Sequence, residues 1–205
     1  MSANTSIAGL VIAGGRSTRF GGEKAVAPFA GKPLLLWATG RLESACAAVA
    51  VNARAGTAAA ALAASAGFTV LHDLPGDADG PLAGVKAGLL WAGSLGARAL
   101  AVSPCDAPLL PQDLFLRLIE AAGEGAALAV TAEGRQPLCA LWPVQALDAV
   151  SHALRDGAHP PTWRLLEQIG AVAVRFDAPE QFANLNTREE LKQLEARLTS
   201  DRNPR

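Results

Sequence analysis

The chain has 205 residues, half of them apolar, and a formal net charge of -1 with a mean hydropathy of +0.22. So balanced a charge excludes a global attraction to nucleic acid or to an anionic membrane, and neither is expected as a partner. The first residues, Met1 to Thr5, lack the basic start and apolar run of a secretory signal, and no apolar stretch reaches membrane-spanning length, so a cytoplasmic protein is expected.

The apolar run Ala8 to Ile12 reads as a buried first strand. A glycine-rich loop follows, and Pro33 is placed to open a helix over Leu34 to Ala45. Ala48 to Val51 reads as a strand ending at Asn52, Thr57 to Ala66 as an alanine-rich helix closed by Gly67, and Phe68 to Leu71 as a third strand ending at His72-Asp73. After a loop punctuated by Pro75, Gly76 and Gly80, Pro81 starts a helix through Trp91. Arg98 to Ser103 is a fourth strand, Pro111 opens a helix through Ala122, and Ala126 to Thr131 is a fifth strand. Pro137 to Trp142 reads as a sixth strand after a polar turn at Glu133-Gly134-Arg135. Helices are expected over Val144 to Leu154 and Thr162 to Gln168, and a late strand over Ala171 to Phe176. Thr187, with Glu190 three residues on, forms a capping box for a last helix. Residues 1–199 are expected to form one domain and 200–205 a disordered polar tail.

Strand and helix alternate from residue 7 to residue 131. The expected fold class is α/β, a three-layer, mostly parallel sheet with helices on both faces. Ligands of such sheets bind outside the carboxyl ends of the strands. Those ends carry the glycine-rich loop, Asn52, Asp73 and Asp106.

The loop is Ala13-Gly14-Gly15-Arg16-Ser17-Thr18-Arg19-Phe20-Gly21-Gly22-Glu23-Lys24. Glycine lets backbone approach a ligand closely, and successive N–H groups there form a nest for anions. Arg16, Arg19 and Lys24 add three positive charges, so a phosphate chain is the expected guest. No glycine-lysine-serine or glycine-lysine-threonine closes the loop and no G-x-G-x-x-G occurs in it, which argues against a Walker A or a Rossmann dinucleotide site. Asp106 lies between Pro104 and Pro108 in a stiff turn. A carboxylate held there suits Mg2+, which takes oxygen ligands and bridges to substrate phosphates, but taken alone it equally suits a turn aspartate bonding its own backbone. Asp73 and Asn52, at strand ends, suit one nucleotide, but Asp73 equally suits a solvated loop and Asn52 a turn. Cys46, Cys105 and Cys139 show no C-x-x-C spacing and read as small buried hydrophobes. His72, His152 and His159 are scattered and read as structural or surface residues, and Arg155 and Arg164 as solvated unless they meet an anionic acceptor.

Ile12 to Lys24 resembles the signature loop of the nucleotidyltransferases related to molybdenum cofactor guanylyltransferase, L-A-G-G-x-S-x-R-M/F-G-G followed by an acidic residue and lysine. Glu23 stands where aspartate is usual. Further elements follow in order: Asn52 with Arg54, Gly80-Pro81-Leu82-Ala83-Gly84, Pro104-Cys105-Asp106-Ala107-Pro108, Gln136 to Leu141, and Phe182-Ala183-Asn184-Leu185-Asn186-Thr187 with Glu189-Glu190-Leu191. The resemblance implies a Rossmann-like nucleotidyltransferase fold and transfer of GMP from GTP to molybdopterin, with pyrophosphate released. It implies Arg19, Lys24 and Asp106 as catalytic groups and Mg2+ on Asp106. Ile12, Ala13, Gly14, Gly15, Lys24, Asn52, Asp73, Gly80 and Asp106 would line the nucleotide site, and Asn184 and Asn186 would flank the acceptor. A molybdoenzyme or its chaperone is a further candidate partner. The alternatives are a cytidylyltransferase for the same pterin, a sugar-phosphate nucleotidyltransferase, and a non-catalytic pterin or nucleotide carrier. A bulky replacement at Gly80 is expected to weaken GTP binding with little loss of folded stability, because the residue lies in a surface loop.

Overall fold

The structure is a computed structural model and describes residues 6–15, 20–77 and 79–201. Strand β1 (Ile7–Ile12) is apolar throughout and buried on both faces, as a central parallel strand must be. It pairs in parallel with β4 (Ala48–Asn52) on one side and with β6 (Ala99–Pro104) on the other. Beyond β4 lies β5 (Thr69–Leu71), also parallel. Beyond β6 lies β8 (Gly134–Pro143), which runs antiparallel to both β6 and β7 (Ala127–Thr131), and β9 (Val172–Arg175) closes the far edge parallel to β7. The seven strands thus follow the order β5-β4-β1-β6-β8-β7-β9. The expected α/β architecture is present, mostly parallel with one reversed strand.

Two layers of helices cover this sheet. Helices α1 (Leu34–Glu43), α2 (Ala58–Ser65) and α4 (Leu114–Ala122) cover one face, with Leu35, Leu42, Ala63, Phe115 and Leu118 meeting Val11, Val51 and Leu141. On the other face, α3 (Pro81–Ser94), α5 (Leu147–Ala153) and α6 (Thr162–Gln168) pack Leu82, Leu89, Val150 and Leu166 against Leu10, Leu100 and Trp142. Helix α3 lies especially close. A Cβ on Gly88 would stand 2.6 Å from Leu10 and 2.7 Å from Leu100, so only glycine allows that approach.

A small hairpin, β2 (Pro28–Phe29) with β3 (Lys32–Pro33), has no counterpart in the sequence reading. It is too short for its pattern to show, and the tight turn is made by Ala30 and Gly31, both at positive φ. Phe29, Phe20 and Leu34 form a third apolar cluster beneath α7 (Arg188–Asp201) with Leu185 and Leu191. Thr187 and Glu190 make the expected capping box: the Glu190 N–H donates to Thr187 Oγ1 at 3.1 Å, and the Thr187 N–H donates to the Glu190 carboxylate at 3.2 Å.

Most boundaries differ by one to three residues from those read in sequence. Pro111 does not open α4, which starts at Leu114 after a turn. Strand β8 begins at Gly134, within the segment read as a turn, because the β7–β8 connection needs only two residues. Residues 200 and 201 belong to α7 and not to a disordered tail, and 202–205 lie outside the described residues. Among the described residues, no helix is long and apolar enough to cross a membrane.

Candidate active site

The chain runs from β1 outward through β4 to β5, then returns to the other side of β1 as β6. The strand order thus reverses direction at β1, and a crevice opens beside it at the carboxyl edge, where ligands of such sheets bind. A cleft of about 400 Å³ lies there. Ile12, Ala13, Gly14, Gly15, Lys24, Asn52, Asp73, Gly80, Asp106 and Asn186 all line it. These come from across the whole chain and include all but two of the expected site residues. The exceptions are Arg19 and Asn184. Arg19, like Arg16, lies outside the described residues. Asn184 is exposed and absent from the lining; its backbone carbonyl lies 3.5 Å from the Asn186 amide.

The charged centre of the cleft is a triad of side chains. Lys24 Nζ donates to Asp106 Oδ2 at 2.8 Å and to Asn186 Oδ1 at 3.2 Å. Asp106 reaches this position because β6 ends at Pro104 and Cys105 is still held in register by an N–H bond to the Ile12 carbonyl. Asn186 is delivered by the Leu185 N–H, which donates to the Asp106 carbonyl at 2.9 Å. The Lys24 and Asp106 side chains keep 11% and 21% of their surface exposed, so the pair faces the cleft and is not sealed in the core.

A second polar pair forms the opposite wall. Asn52 is buried, and its amide donates to Asp73 Oδ1 at 2.8 Å. Asn52 therefore orients Asp73, whose residue is exposed to the cleft. Gly84, in the first turn of α3, is what makes room: a Cβ there would stand 2.5 Å from Asn52 Oδ1.

The glycine loop is braced from outside. Arg54 Nη2 donates to the Gly14 carbonyl at 3.0 Å. The Glu23 carboxylate accepts from the N–H groups of Ala58 and Ala59 at 2.9 and 2.8 Å. The first turn of α2 contains no acidic residue of its own, and the Thr57 side chain satisfies only the Ala60 N–H. Glu23 thus supplies the missing cap, which a helix N-terminus favours for charge as well as hydrogen bonding. This role was hidden in the sequence. The one available signal was an alanine-only helix start lacking an internal cap for two of its donors.

His159 also acquires a place. Its ring packs against Gly80 so closely that a Cβ on Gly80 would lie 1.8 Å from Nε2, and Gly80 has a φ of +154°. Gly80 is therefore not a tolerant surface position: any side chain there meets both an imidazole and an unfavourable backbone conformation. The expectation that a replacement would spare folding is corrected. Lys32, in contrast to Lys24, sits on the flank with its ammonium 5.3 Å from the Trp37 ring centroid.

Cys139 is buried, whereas Cys46 and Cys105 are half-buried and Cys105 lines the cleft. Burial pushes the Cys46 thiol up to about 12. Burial, and then the Asp106 charge, push Cys105 up to about 12. Burial raises Cys139 further still.

Comparison with known proteins agrees with this architecture. Over 197 residues the chain is 40% identical to a molybdenum cofactor guanylyltransferase of Rhodobacter capsulatus, covering 94% of this chain and 96% of that one. A protein of the same name from Cupriavidus taiwanensis is 37% identical over 207 residues, covering 96% and 100%. Among solved structures, the molybdopterin-guanine dinucleotide biosynthesis protein A of Archaeoglobus fulgidus superposes with a TM-score of 0.75 at 23% identity, over 94% of this chain and 98% of that one. A 4-diphosphocytidyl-2C-methyl-D-erythritol synthase superposes with a TM-score of 0.69 at 18% identity, over 94% and 98%. The backbone fold is thus common to proteins named for different nucleotides, and it does not select a base. The family profile described as the MobA-like NTP transferase domain matches residues 9–176, and the chain belongs to that family of nucleotidyltransferases.

Proposed function

We propose that the protein transfers GMP from GTP to the terminal phosphate of molybdopterin, forming the guanine dinucleotide cofactor and releasing pyrophosphate. The observation that carries this reading is the meeting of Lys24, Asp106 and Asn186 beneath the glycine loop, within a cleft of about 400 Å³. The relatives with 37–40% identity along nearly their whole length carry the name of this activity. An oxygen of the acceptor phosphate attacks the α-phosphorus of GTP, and the bond to the β-phosphate breaks with its electron pair leaving on pyrophosphate. The acceptor phosphate is already ionised, so the reaction needs positioning and charge neutralisation more than a general base.

In this reading the Gly14-Gly15 backbone and Lys24 hold the triphosphate, joined by Arg19. Asp73, oriented by Asn52, faces the ribose. The base lies against the backbone of Ile12 and Ala13 and against Gly80. Guanine presents N1–H and an exocyclic amine as donors, so backbone carbonyls there are suitable acceptors. Asn186, and Asn184 beside it, flank the acceptor, and Glu23 and Arg54 hold the loop in place.

The residues present fit Mg2+. Among the described residues there is no group of three or more His, Cys, Asp or Glu side chains that could cage a metal. A single cleft carboxylate is what Mg2+ needs when it arrives with phosphates, since it is commonly bound through one or two carboxylates plus substrate oxygens. Asp106 would hold it, and bound there it would neutralise charge developing on the phosphate oxygens. A cytoplasmic location, a single functional domain over residues 1–199, and delivery of the product to a molybdoenzyme or its chaperone complete the reading.

The test is incubation with the pterin acceptor and each of four nucleoside triphosphates, followed by product mass. A guanine dinucleotide and pyrophosphate are expected, and Asp106→Asn should give neither. A cytosine dinucleotide would move the protein to the cytidylyl reading. Binding of nucleotide with no product from any of the four would make it a carrier.

A further inference from the structure

We propose that Lys24 is the resident counter-ion of Asp106, and that a divalent cation enters this site only in company with the nucleotide that draws Lys24 away. This rests on the reading of Asp106 as the metal-holding carboxylate. The ammonium of Lys24 sits 2.8 Å from Asp106 Oδ2. A magnesium ion bonded to a carboxylate oxygen stands about 2.1 Å from it. Ammonium and dication on one oxygen would repel each other at close range, inside a partly desolvated cleft where the interaction is stronger than in water. Asp106 has a second oxygen, but a dication on either one stands close to the ammonium, so each cation weakens the other's hold on the carboxylate.

The geometry also supplies the exchange. Lys24 has a second partner, Asn186 Oδ1 at 3.2 Å, that does not depend on Asp106. Asn186 is itself fixed, because its N–H donates to the Glu190 carboxylate at 2.5 Å and Glu190 is locked into the cap of α7. Lys24 can therefore release Asp106 without leaving the cleft, swinging about Asn186 toward the triphosphate oxygens beneath Gly14 and Gly15. Those oxygens replace the carboxylate as its counter-charge, while the cation they carry replaces Lys24 on Asp106. Asp106 and Lys24 each keep an opposite charge throughout. Before the nucleotide arrives, Asp106 is neutralised by a lysine; afterwards, by the metal. One consequence is that the free protein does not collect divalent ions on a bare cleft carboxylate.

The experiment is a Mn2+ titration of the full chain, read by electron paramagnetic resonance and by water proton relaxation, with and without the non-hydrolysable α,β-methylene analogue of GTP. Wild type should bind Mn2+ weakly alone and form a ternary complex with the analogue. Lys24→Met, which keeps length but removes the charge, should bind Mn2+ without nucleotide at least about tenfold more tightly than wild type, a change of about 1.4 kcal/mol. Asp106→Asn should abolish that gain in the Lys24→Met background. Equal Mn2+ affinity of nucleotide-free wild type and Lys24→Met would overturn the proposal, as would wild type that binds Mn2+ equally well with and without the analogue. The wild-type arm needs no variant and stands even if Lys24→Met folds poorly. Failure here leaves guanylyl transfer by wild type untouched, whereas failure of the functional reading appears as absence of the dinucleotide product.

Discussion

Gly84→Ala tests whether the buried Asn52 amide organises the cleft. Gly84 lies in the first turn of α3, and a Cβ built there would stand 2.5 Å from Asn52 Oδ1, 2.8 Å from its Cγ and 2.8 Å from Ile12 Cδ1. Replacing a helical glycine by alanine normally gains about 1 kcal/mol. Here the overpacking costs about 1–3 kcal/mol, which by itself offsets or exceeds that gain. The Ile12 methyl is the end of a flexible side chain and can yield, but the Asn52 amide must turn away and give up its bond to Asp73 at 2.8 Å. Leaving a buried amide unpaired costs about 1–3 kcal/mol more. The clash therefore outweighs the propensity, and Gly84→Ala should destabilise the fold by about 1–5 kcal/mol in urea denaturation. GTP binding by calorimetry should weaken as well, because Asp73 loses its orientation. In an Asn52→Ala background both offending amide atoms are gone. Gly84→Ala should then be neutral or stabilising, a reversal of sign that coupled neighbours can show. The same cost in both backgrounds would refute the reasoning, since the clash would then not lie with Asn52.

Other outcomes follow from the same geometry. Lys24→Ala should lose far more turnover than Lys32→Ala, because Lys24 touches Asp106 and Asn186 while Lys32 lies over Trp37; equal, mild losses in a pyrophosphate-release assay would remove Lys24 from the chemistry. Gly80→Ala should lower the denaturation midpoint as well as GTP affinity, because its Cβ meets the His159 ring at 1.8 Å; an unchanged midpoint would show that the ring moves freely. Glu23→Gln should weaken the cap on α2 by about 0.5–2 kcal/mol, and Glu23→Ala by at least as much. Both should be visible as faster amide exchange at Ala58 and Ala59. The thiols set an alkaline limit. Cys46 and Cys105 are raised from 9.0 to about 12 by burial, with Asp106 adding to Cys105. The unfolded chain releases these protons first, so their contribution to stability is full below pH 9 and is lost as pH rises from about 9 to 12. Thermal unfolding across that range should show the decline. Alkylation of native protein should stay slow at neutral pH, and rapid labelling of Cys105 there would contradict its raised thiol.

Sequence alone determined the parallel core and the ends of its strands. The apolar run of Ile7 to Ile12 and the strands ending at Asn52 and Pro104 are signals of local composition, because a strand buried on both faces must be apolar along its whole length. The capping box at Thr187 and Glu190 was equally legible, since both partners lie within four residues. What tertiary structure decided are the pairings across long stretches of chain. Lys24 meets Asp106 across 82 residues and Asn186 across 162, Glu23 caps a helix that starts 35 residues later, and His159 closes on Gly80. The reversal of β8 between β6 and β7 belongs to the same class. Periodicity reports which face of an element is buried, but not which distant element covers it. That choice depends on helices and strands packing together as whole bodies, and it is only through that packing that Lys24 and Asp106 come within 2.8 Å of each other.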